Sequence, residues 1–325
     1  MKDILFSIGP FSVHGYGLMI AIGVLSAYFL AEYRAKKQKL QHESIFTLTL
    51  WALLGGAVGA KLLYYLTILP QIVANPRILL ENFGSGFVVY GGIVGGVIAG
   101  YLYCRYKKFD FLCYADLVMP SIALAQGFGR IGCFLAGCCY GNVTESPIGV
   151  VFPEGSLAPA GVALIPTQLI SSALDFLLFF ALLLFAKRKK AHGQVTGLYL
   201  ILYSAGRFVL EFYRGDLIRG SVGELSTSQF ISIFIFIAGA ALFLFSPKLG
   251  RIREAKLAAM KADAAADASD GDETQVDSKE AQDDKGTPDL FEPQEELKAL
   301  NENDASPAKD EPQGGGDGEE DGKTE

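Results

Sequence analysis

The sequence predicts an all-α integral membrane protein with about seven transmembrane helices, an outside amino terminus, a cytoplasmic carboxyl terminus and a small extracytoplasmic loop region. Three observations lead there. Half of the 325 residues are hydrophobic and only 19% are charged, with mean hydropathy +0.30, a balance that excludes a disordered chain and an ordinary soluble enzyme. The apolar residues gather in long runs. Lys and Arg recur in alternate loops between those runs.

The runs lie near 15–33, 45–69, 87–104, 112–132, 167–186, 196–213 and 227–247. A helix needs about 20 apolar residues to cross about 30 Å of hydrocarbon, so each run is a spanning candidate. The fourth is the most broken, because Pro120, Gln126 and Arg130 interrupt it. The first is too long for a signal-peptide core and has no small-residue cleavage pattern before Arg34, so it is expected to stay as a helix. Arg34, Lys36, Lys37 and Lys39 follow the first run, Arg105, Lys107 and Lys108 the third, Lys187 to Lys190 the fifth, and Lys248, Arg251, Arg253 and Lys256 the seventh. The loop 70–86 contains only Arg77, and 133–166 contains neither Lys nor Arg. Positive charge stays on the cytoplasmic side, which sets the orientation.

The formal net charge of −7 hides a segregation. Residues 261–325 carry 22 acidic and 6 basic groups, leaving 13 acidic and 22 basic groups in the first 260. The expected organisation is a polytopic membrane domain over 1–250 and an acidic, disordered cytoplasmic tail over 251–325, too poor in apolar residues to offset ordering entropy. The tail reads as a solvating extension or a partner-binding segment. Pairs of small residues four apart, Gly55 with Gly59, Gly91 with Gly95, Gly92 with Gly96 and Gly96 with Gly100, predict close helix contacts.

Ionisable groups inside spans cost at least about 2.5 kcal/mol near a helix centre and mark function by default. Lys61, Arg130, Asp175, Arg207 and Glu211 are such groups, with Tyr16, Tyr90 and Gln168 as neutral polar companions. Given the orientation, Tyr16, Tyr90, Gln168, Arg130 and Arg207 fall in the outer half of the bilayer, which points to one outward-facing polar cavity. Tyr199, Tyr203, Arg207, Glu211 and Arg214 form one stripe of the sixth helix, where Arg207 and Glu211 can pair across a turn. That pair is either a self-satisfied structural ion pair or part of a site. Two guanidinium groups at headgroup depth suit a phosphate.

The segment 127–141, GFGRIGCFLAGCCYG, is glycine-rich and reads as a helix end followed by a turn whose amides favour an anion. Its Cys133, Cys138 and Cys139 are small packing thiols or disulfide partners. Zinc has little support, since neither a His nor a second Cys pair is near in sequence. No P-loop, His-Glu-x-x-His or dinucleotide fingerprint is present, so no cofactor, metal or nucleic acid is expected.

HGYGLM at 14–19, YGGIVGG at 90–96, GRIGCF at 129–134 with YG at 140–141, PTQL at 166–169 and RFVLEFYRGD at 207–216 together resemble the bacterial prolipoprotein diacylglyceryl transferases over about residues 1–250. The resemblance implies a multi-pass enzyme of the bacterial inner membrane, whose partners are phosphatidylglycerol, other membrane lipid and preprolipoprotein signal peptides. It implies transfer of a diacylglyceryl group to the lipobox cysteine thiol. Arg130 matches the arginine that holds the lipid phosphate, and Arg207 the family's arginine of span six. On this reading Tyr16, Tyr90, Arg207 and Glu211 are catalytic, and Arg130, Gly91, Gly92, Cys133, Gly141, Gln168 and Arg214 bind substrate. Three positions depart from the family pattern: Tyr90 stands for a His, Cys133 for an Asn and Cys138 for a Glu. The alternatives are a non-catalytic phospholipid-binding paralogue and a membrane thiol oxidoreductase.

Overall fold

The computed structural model describes residues 4–8, 11–215 and 220–270. The chain divides into two compact units, Met1–Ala264 and Ala265–Glu325, and the architecture below is that of the first. It is mostly helical. The long helices are α1 (Gly15–Lys37), α2 (Glu43–Thr67), α5 (Val89–Tyr106), α6 (Phe111–Ala136), α7 (Thr167–Ala186), α8 (Gln194–Glu211) and α9 (Thr227–Asp270), with two short helices between α2 and α5, α3 (Leu69–Ala74) and α4 (Ile78–Glu81). These seven long helices coincide with the seven apolar runs.

Among the described residues, five helices are long and apolar enough to cross a membrane: α1, α2, α6, α7 and residues 227–248 of α9. The chain is therefore a multi-pass helical membrane protein. The third and sixth runs became α5 and α8, 18 residues each, or about 27 Å at the rise of an α-helix. Outward faces carry large apolar side chains such as Leu25, Phe29, Leu62, Phe180, Phe234 and Leu244, all more than half exposed. In water such a belt would aggregate; hydrocarbon is its natural solvent.

The acidic segment begins inside a helix, because α9 continues to Asp270, past the boundary expected at residue 250. Residues 271–325, the rest of the expected tail, lie outside the described residues. Three short antiparallel ribbons supplement the helices: β1 (Ile4–Ile8) with β2 (Phe11–His14), β3 (Val150–Val151) with β4 (Ala163–Leu164), and β5 (Ser221–Val222) with β6 (Leu225–Ser226). The β3–β4 ribbon belongs to the loop region after α6, which has its own small core of Phe152, Ala158 and Leu164 packed on Phe134.

Glycines set how the helices approach. A Cβ placed on Gly59 would lie 2.3 Å from the Gly91 carbonyl oxygen, and one on Gly55 would lie 2.4 Å from Cβ of Ala99. Thus α2 and α5 meet backbone to backbone, as the small-residue spacing predicts. Helix α6 is the centre of the unit, with half of its apolar window buried inside the protein against 17% for α1, α2 and α9. The segment 127–141 does hold a helix end followed by a turn, but the helix runs through its glycines to Ala136 and stops at Gly137, which takes the left-handed conformation at φ 72°. Those glycines are contact points. Gly127 leaves room for Phe176 of α7, and Gly132 for Tyr16 and Met19 of α1. A helical glycine costs about 1 kcal/mol relative to alanine, which close packing of a neighbour offsets.

Proline in α6 is also accommodated. Pro120 is fully buried, and in the turn before it the buried Arg34 guanidinium donates to the Leu117 carbonyl, serving backbone that a proline disturbs. One turn earlier, Asp116 is completely buried. It accepts from the Gly193 and Thr196 amides at 2.9 Å, the Thr196 hydroxyl at 2.9 Å and Lys189 Nζ at 3.1 Å. A side chain of α6 thereby caps the amino end of α8. Lys61 has a structural role too. Its ammonium donates to the Asn82 and Ser85 carbonyls and lies over the rings of Tyr64, Tyr65 and Phe87, tying the loop before α5 to α2.

Candidate active site

Between α6, α7 and α8 lies a cavity of about 290 Å³ whose wall includes Arg130, Ser171, Asp175, Tyr203, Gly206 and Arg207. The two guanidinium groups singled out by the sequence therefore face one space from two different helices. Arg207 is fixed from two sides. Its Nη1 approaches Glu211 Oε2 at 2.5 Å, and its Nη2 donates to the Ser228 hydroxyl of α9 at 3.0 Å. Glu211 in turn lies 3.9 Å from Nε of Arg214, so one carboxylate serves two cations on the same helical stripe. Arg130 lies within electrostatic reach of Tyr203, Asp175, Cys133 and Cys139.

A second cavity of about 580 Å³ adjoins the first and shares Leu174, Gly206 and Leu210 with it. It is apolar, bounded by Ile148, Ile165, Ile170, Val209 and Tyr213. The first cavity carries its charged groups, Arg130, Asp175 and Arg207, on an otherwise largely apolar wall, and the second is an apolar groove between α7 and α8 beside it, a combination that suits an amphiphile with an anionic head.

The turn after α6 is bound to both neighbouring helices. Thr167 Oγ1 donates to the Cys139 carbonyl and Gln168 Nε2 to the Cys138 carbonyl, each at 2.8 Å. The Gly141 amide donates to Ile165 O at 2.9 Å, the Asn142 amide to Tyr213 O at 2.9 Å, and the Gly215 amide to Tyr140 O at 3.2 Å. Gly141 is required for this approach, since a Cβ there would lie 2.7 Å from Ile165 O. The turn also reverses through Cys139, whose φ of 62° is an uncommon backbone state for a residue with a side chain. This brings the thiol sulfur atoms of Cys133, Cys138 and Cys139 within 4.8 Å of one another. Hydrogen bonding from the other two thiols, with the Arg214 guanidinium behind them, holds the Cys139 thiol well below the ordinary thiol range.

The remaining sequence candidates are placed as follows. Tyr16, in the first turn of α1, packs on Gly132 and lies within electrostatic reach of the three cysteines and Arg130. Tyr90 is in the first turn of α5 and 39% exposed; neither tyrosine is on the cavity wall. Gly91 faces the Gly59 carbonyl and Leu63, and Gly92 faces Gly56 and Ala60, so both lie at the α2–α5 contact. Gln168 is buried behind the turn. The wall adds Asp175, marked in the sequence as an intramembrane ionisable group without an assigned role, and Ser171 and Tyr203, which have none assigned either. Asp175 and Tyr203 did have a signal, as an intramembrane acid and a member of the Arg207 stripe. Ser228 had none, because its partnership with Arg207 depends on how α9 returns to α8.

Comparison with known proteins places the chain in a family. The family model described as prolipoprotein diacylglyceryl transferase matches residues 3–245. A phosphatidylglycerol–prolipoprotein diacylglyceryl transferase of Clostridium tetani is 50% identical over 243 residues, covering 75% of this chain and 97% of that protein. A second so named, from Clostridium perfringens, is 46% identical over 252 residues, covering 77% and 98%. A third, from Staphylococcus carnosus, is 32% identical over 250 residues, covering 75% and 90%. With three quarters of its length matched and its intramembrane arginines gathered on one cavity, the chain belongs to the prolipoprotein diacylglyceryl transferase family.

Proposed function

We propose that this protein transfers the diacylglyceryl group of phosphatidylglycerol to the lipobox cysteine thiol in the signal peptide of a preprolipoprotein. It does so at the outer face of a bacterial cytoplasmic membrane that it crosses seven times, with its amino terminus outside. The observation that carries this reading is the shared wall: Arg130 and Arg207 face one cavity, and an apolar groove shares Leu174, Gly206 and Leu210 with it.

The chemistry follows from that arrangement. Arg130, with Arg214 just past the end of α8 and bridged to Gly141 of the turn, holds the lipid phosphate, which guanidinium planes grip with paired hydrogen bonds. The acyl chains extend along the groove between α7 and α8. Arg207, oriented by Glu211 and Ser228, points its remaining donors at the phosphodiester oxygen that leaves, stabilising charge as it develops. The thiolate attacks the glycerol carbon, the carbon–oxygen bond breaks, and glycerol phosphate departs with the electron pair. Tyr16 and Tyr90 offer hydroxyls at the outer ends of their helices to orient headgroup oxygens, while Gln168, Gly141, Cys133, Gly91 and Gly92 keep the surrounding backbone in place. Alignment of nucleophile and carbon is the main source of rate.

The test is direct. Purified protein with phosphatidylglycerol vesicles and a lipobox peptide gains one diacylglyceryl mass on the peptide. Binding of the lipid with no mass gain, at any protein concentration, makes the chain a lipid-binding paralogue and overturns the proposal.

A further inference from the structure

The three clustered thiols have no part in the phosphate chemistry above, yet the fold goes to some length to assemble them. Two lie in a turn clamped by α7 and by the residues that follow α8, one of them in a left-handed backbone state. The third is one turn from Arg130 on α6. Their sulfur atoms lie within 4.8 Å of one another, against about 3.8 Å for thiolates sharing a tetrahedral ion with bonds of about 2.3 Å. Small side-chain rotations close that gap. Among the described residues no fourth His, Cys, Asp or Glu joins the group.

A second observation lies beside them. Gln168, which donates to the Cys138 carbonyl, is 1% exposed, and its buried Oε1 has no hydrogen-bond partner among the described residues. A buried acceptor next to a three-ligand site suits a water on the open position of an ion. The charges also fit. Three thiolates and a divalent cation carry net −1, and Arg130 and Arg214 stand around them.

We infer that Cys133, Cys138 and Cys139 bind one zinc(II) ion whose fourth position accepts the thiol of the incoming lipobox cysteine. This rests on the transferase reading above and deepens it. A free thiol with pKa about 8.5 is mostly protonated at neutral pH, whereas a thiol on zinc is deprotonated outright. The substrate sulfur displaces the water and gives up its proton to solvent. The metal-bound thiolate then attacks the glycerol carbon of phosphatidylglycerol, held one turn away at Arg130. A carbon–sulfur bond forms, the carbon–oxygen bond to phosphate breaks, and glycerol phosphate leaves with the electrons of that bond. The thioether product is a weaker donor than a thiolate, so it leaves the ion and water returns. No electron is gained or lost by the metal.

The experiment uses the full-length protein in detergent, reduced, loaded with zinc(II) and freed of excess. About one zinc per chain is expected, with X-ray absorption showing three sulfur ligands and one oxygen. Addition of lipobox peptide converts this to four sulfur ligands; the peptide with its cysteine replaced by serine leaves it unchanged. The triple variant Cys133→Ser/Cys138→Ser/Cys139→Ser loses the ion, and its transfer rate falls at least 100-fold while lipid binding persists. Zinc below a tenth of an equivalent, four sulfur ligands without peptide, or a disulfide among these cysteines in protein purified without reductant overturns the inference. A folded triple variant with undiminished transfer overturns it and leaves the transferase reading intact. Zinc bound as described in a protein that never lipidates peptide leaves the site standing and removes the transferase reading.

Discussion

Arg207 of α8 is braced by Glu211 one turn along its own helix, at 2.5 Å, and by Ser228 of α9, at 3.0 Å. The cation that faces the cavity is thus held by groups behind it. A guanidinium that must meet a phosphate in one orientation loses less entropy on binding when it is already fixed.

Arg207→Ala and Arg130→Ala each lower lipid transfer by about 100- to 1,000-fold, the loss expected when a donor to developing charge is removed. Arg→Lys at either position recovers only part of that, because an ammonium cannot grip a phosphate through two parallel bonds. The mass of a lipobox peptide incubated with phosphatidylglycerol vesicles reads both. Wild-type rates in the two alanine variants would place the chemistry elsewhere.

Glu211→Gln keeps the shape of the stripe and removes the charge that orients Arg207 and Arg214. The expected result is a fall of about tenfold in kcat with a smaller change in KM, since alignment rather than lipid affinity is lost. Steady-state kinetics over a range of vesicle concentrations separate the two constants. A pure KM effect would assign Glu211 to binding.

Asp116 is far from the chemistry and serves the fold. Asp116→Ala leaves Lys189 and the first amides of α8 without their acceptor, at a cost of about 2–4 kcal/mol. The thermal unfolding midpoint in detergent drops while the transfer rate of the folded fraction at low temperature is retained. Asp116→Asn, which keeps an oxygen acceptor, lies between the two.

Gly59→Leu drives a side chain into the Gly91 backbone, separates α2 from α5, and destabilises by about 1–3 kcal/mol or prevents assembly altogether. Gly129, where an added Cβ meets nothing within 4 Å, is the control. Gly129→Ala leaves the unfolding midpoint unchanged or raises it, since alanine is the better helix former by about 1 kcal/mol. Equal losses in the two variants would mean that α2 and α5 do not meet through these glycines.

Much of the architecture was legible in the sequence because bilayer thickness fixes helix length: α1, α2, α5, α6, α7 and α8 match their apolar runs to within a few residues, while α9 continues to Asp270, well past the end of its run at 247. The Arg207–Glu211 pair was legible for the same kind of reason, as i and i+4 on one helix. The helix end and turn within 127–141 were legible too, but not the role of the glycines before them. Those glycines signal a break in an isolated chain, whereas packed against Phe176, Tyr16 and Met19 they mark places where neighbours come close. Asp116 was equally hidden, since its acceptor role exists only once the amino end of α8 is beside α6.

The one-dimensional pattern of apolar and charged residues determined that this chain lies in a membrane, how many long helices it forms and which ionisable groups need a polar surrounding. Those properties depend on distances along the chain, which covalent geometry and helical rise convert into depth. Which groups share a cavity was decided by the tertiary structure: that Arg130 meets Arg207, that Ser228 braces it, and that Cys133 closes on Cys138 and Cys139. Contacts between helices depend on side-chain volume and backbone approach across segments far apart in sequence, and no spacing along one strand of chain encodes them.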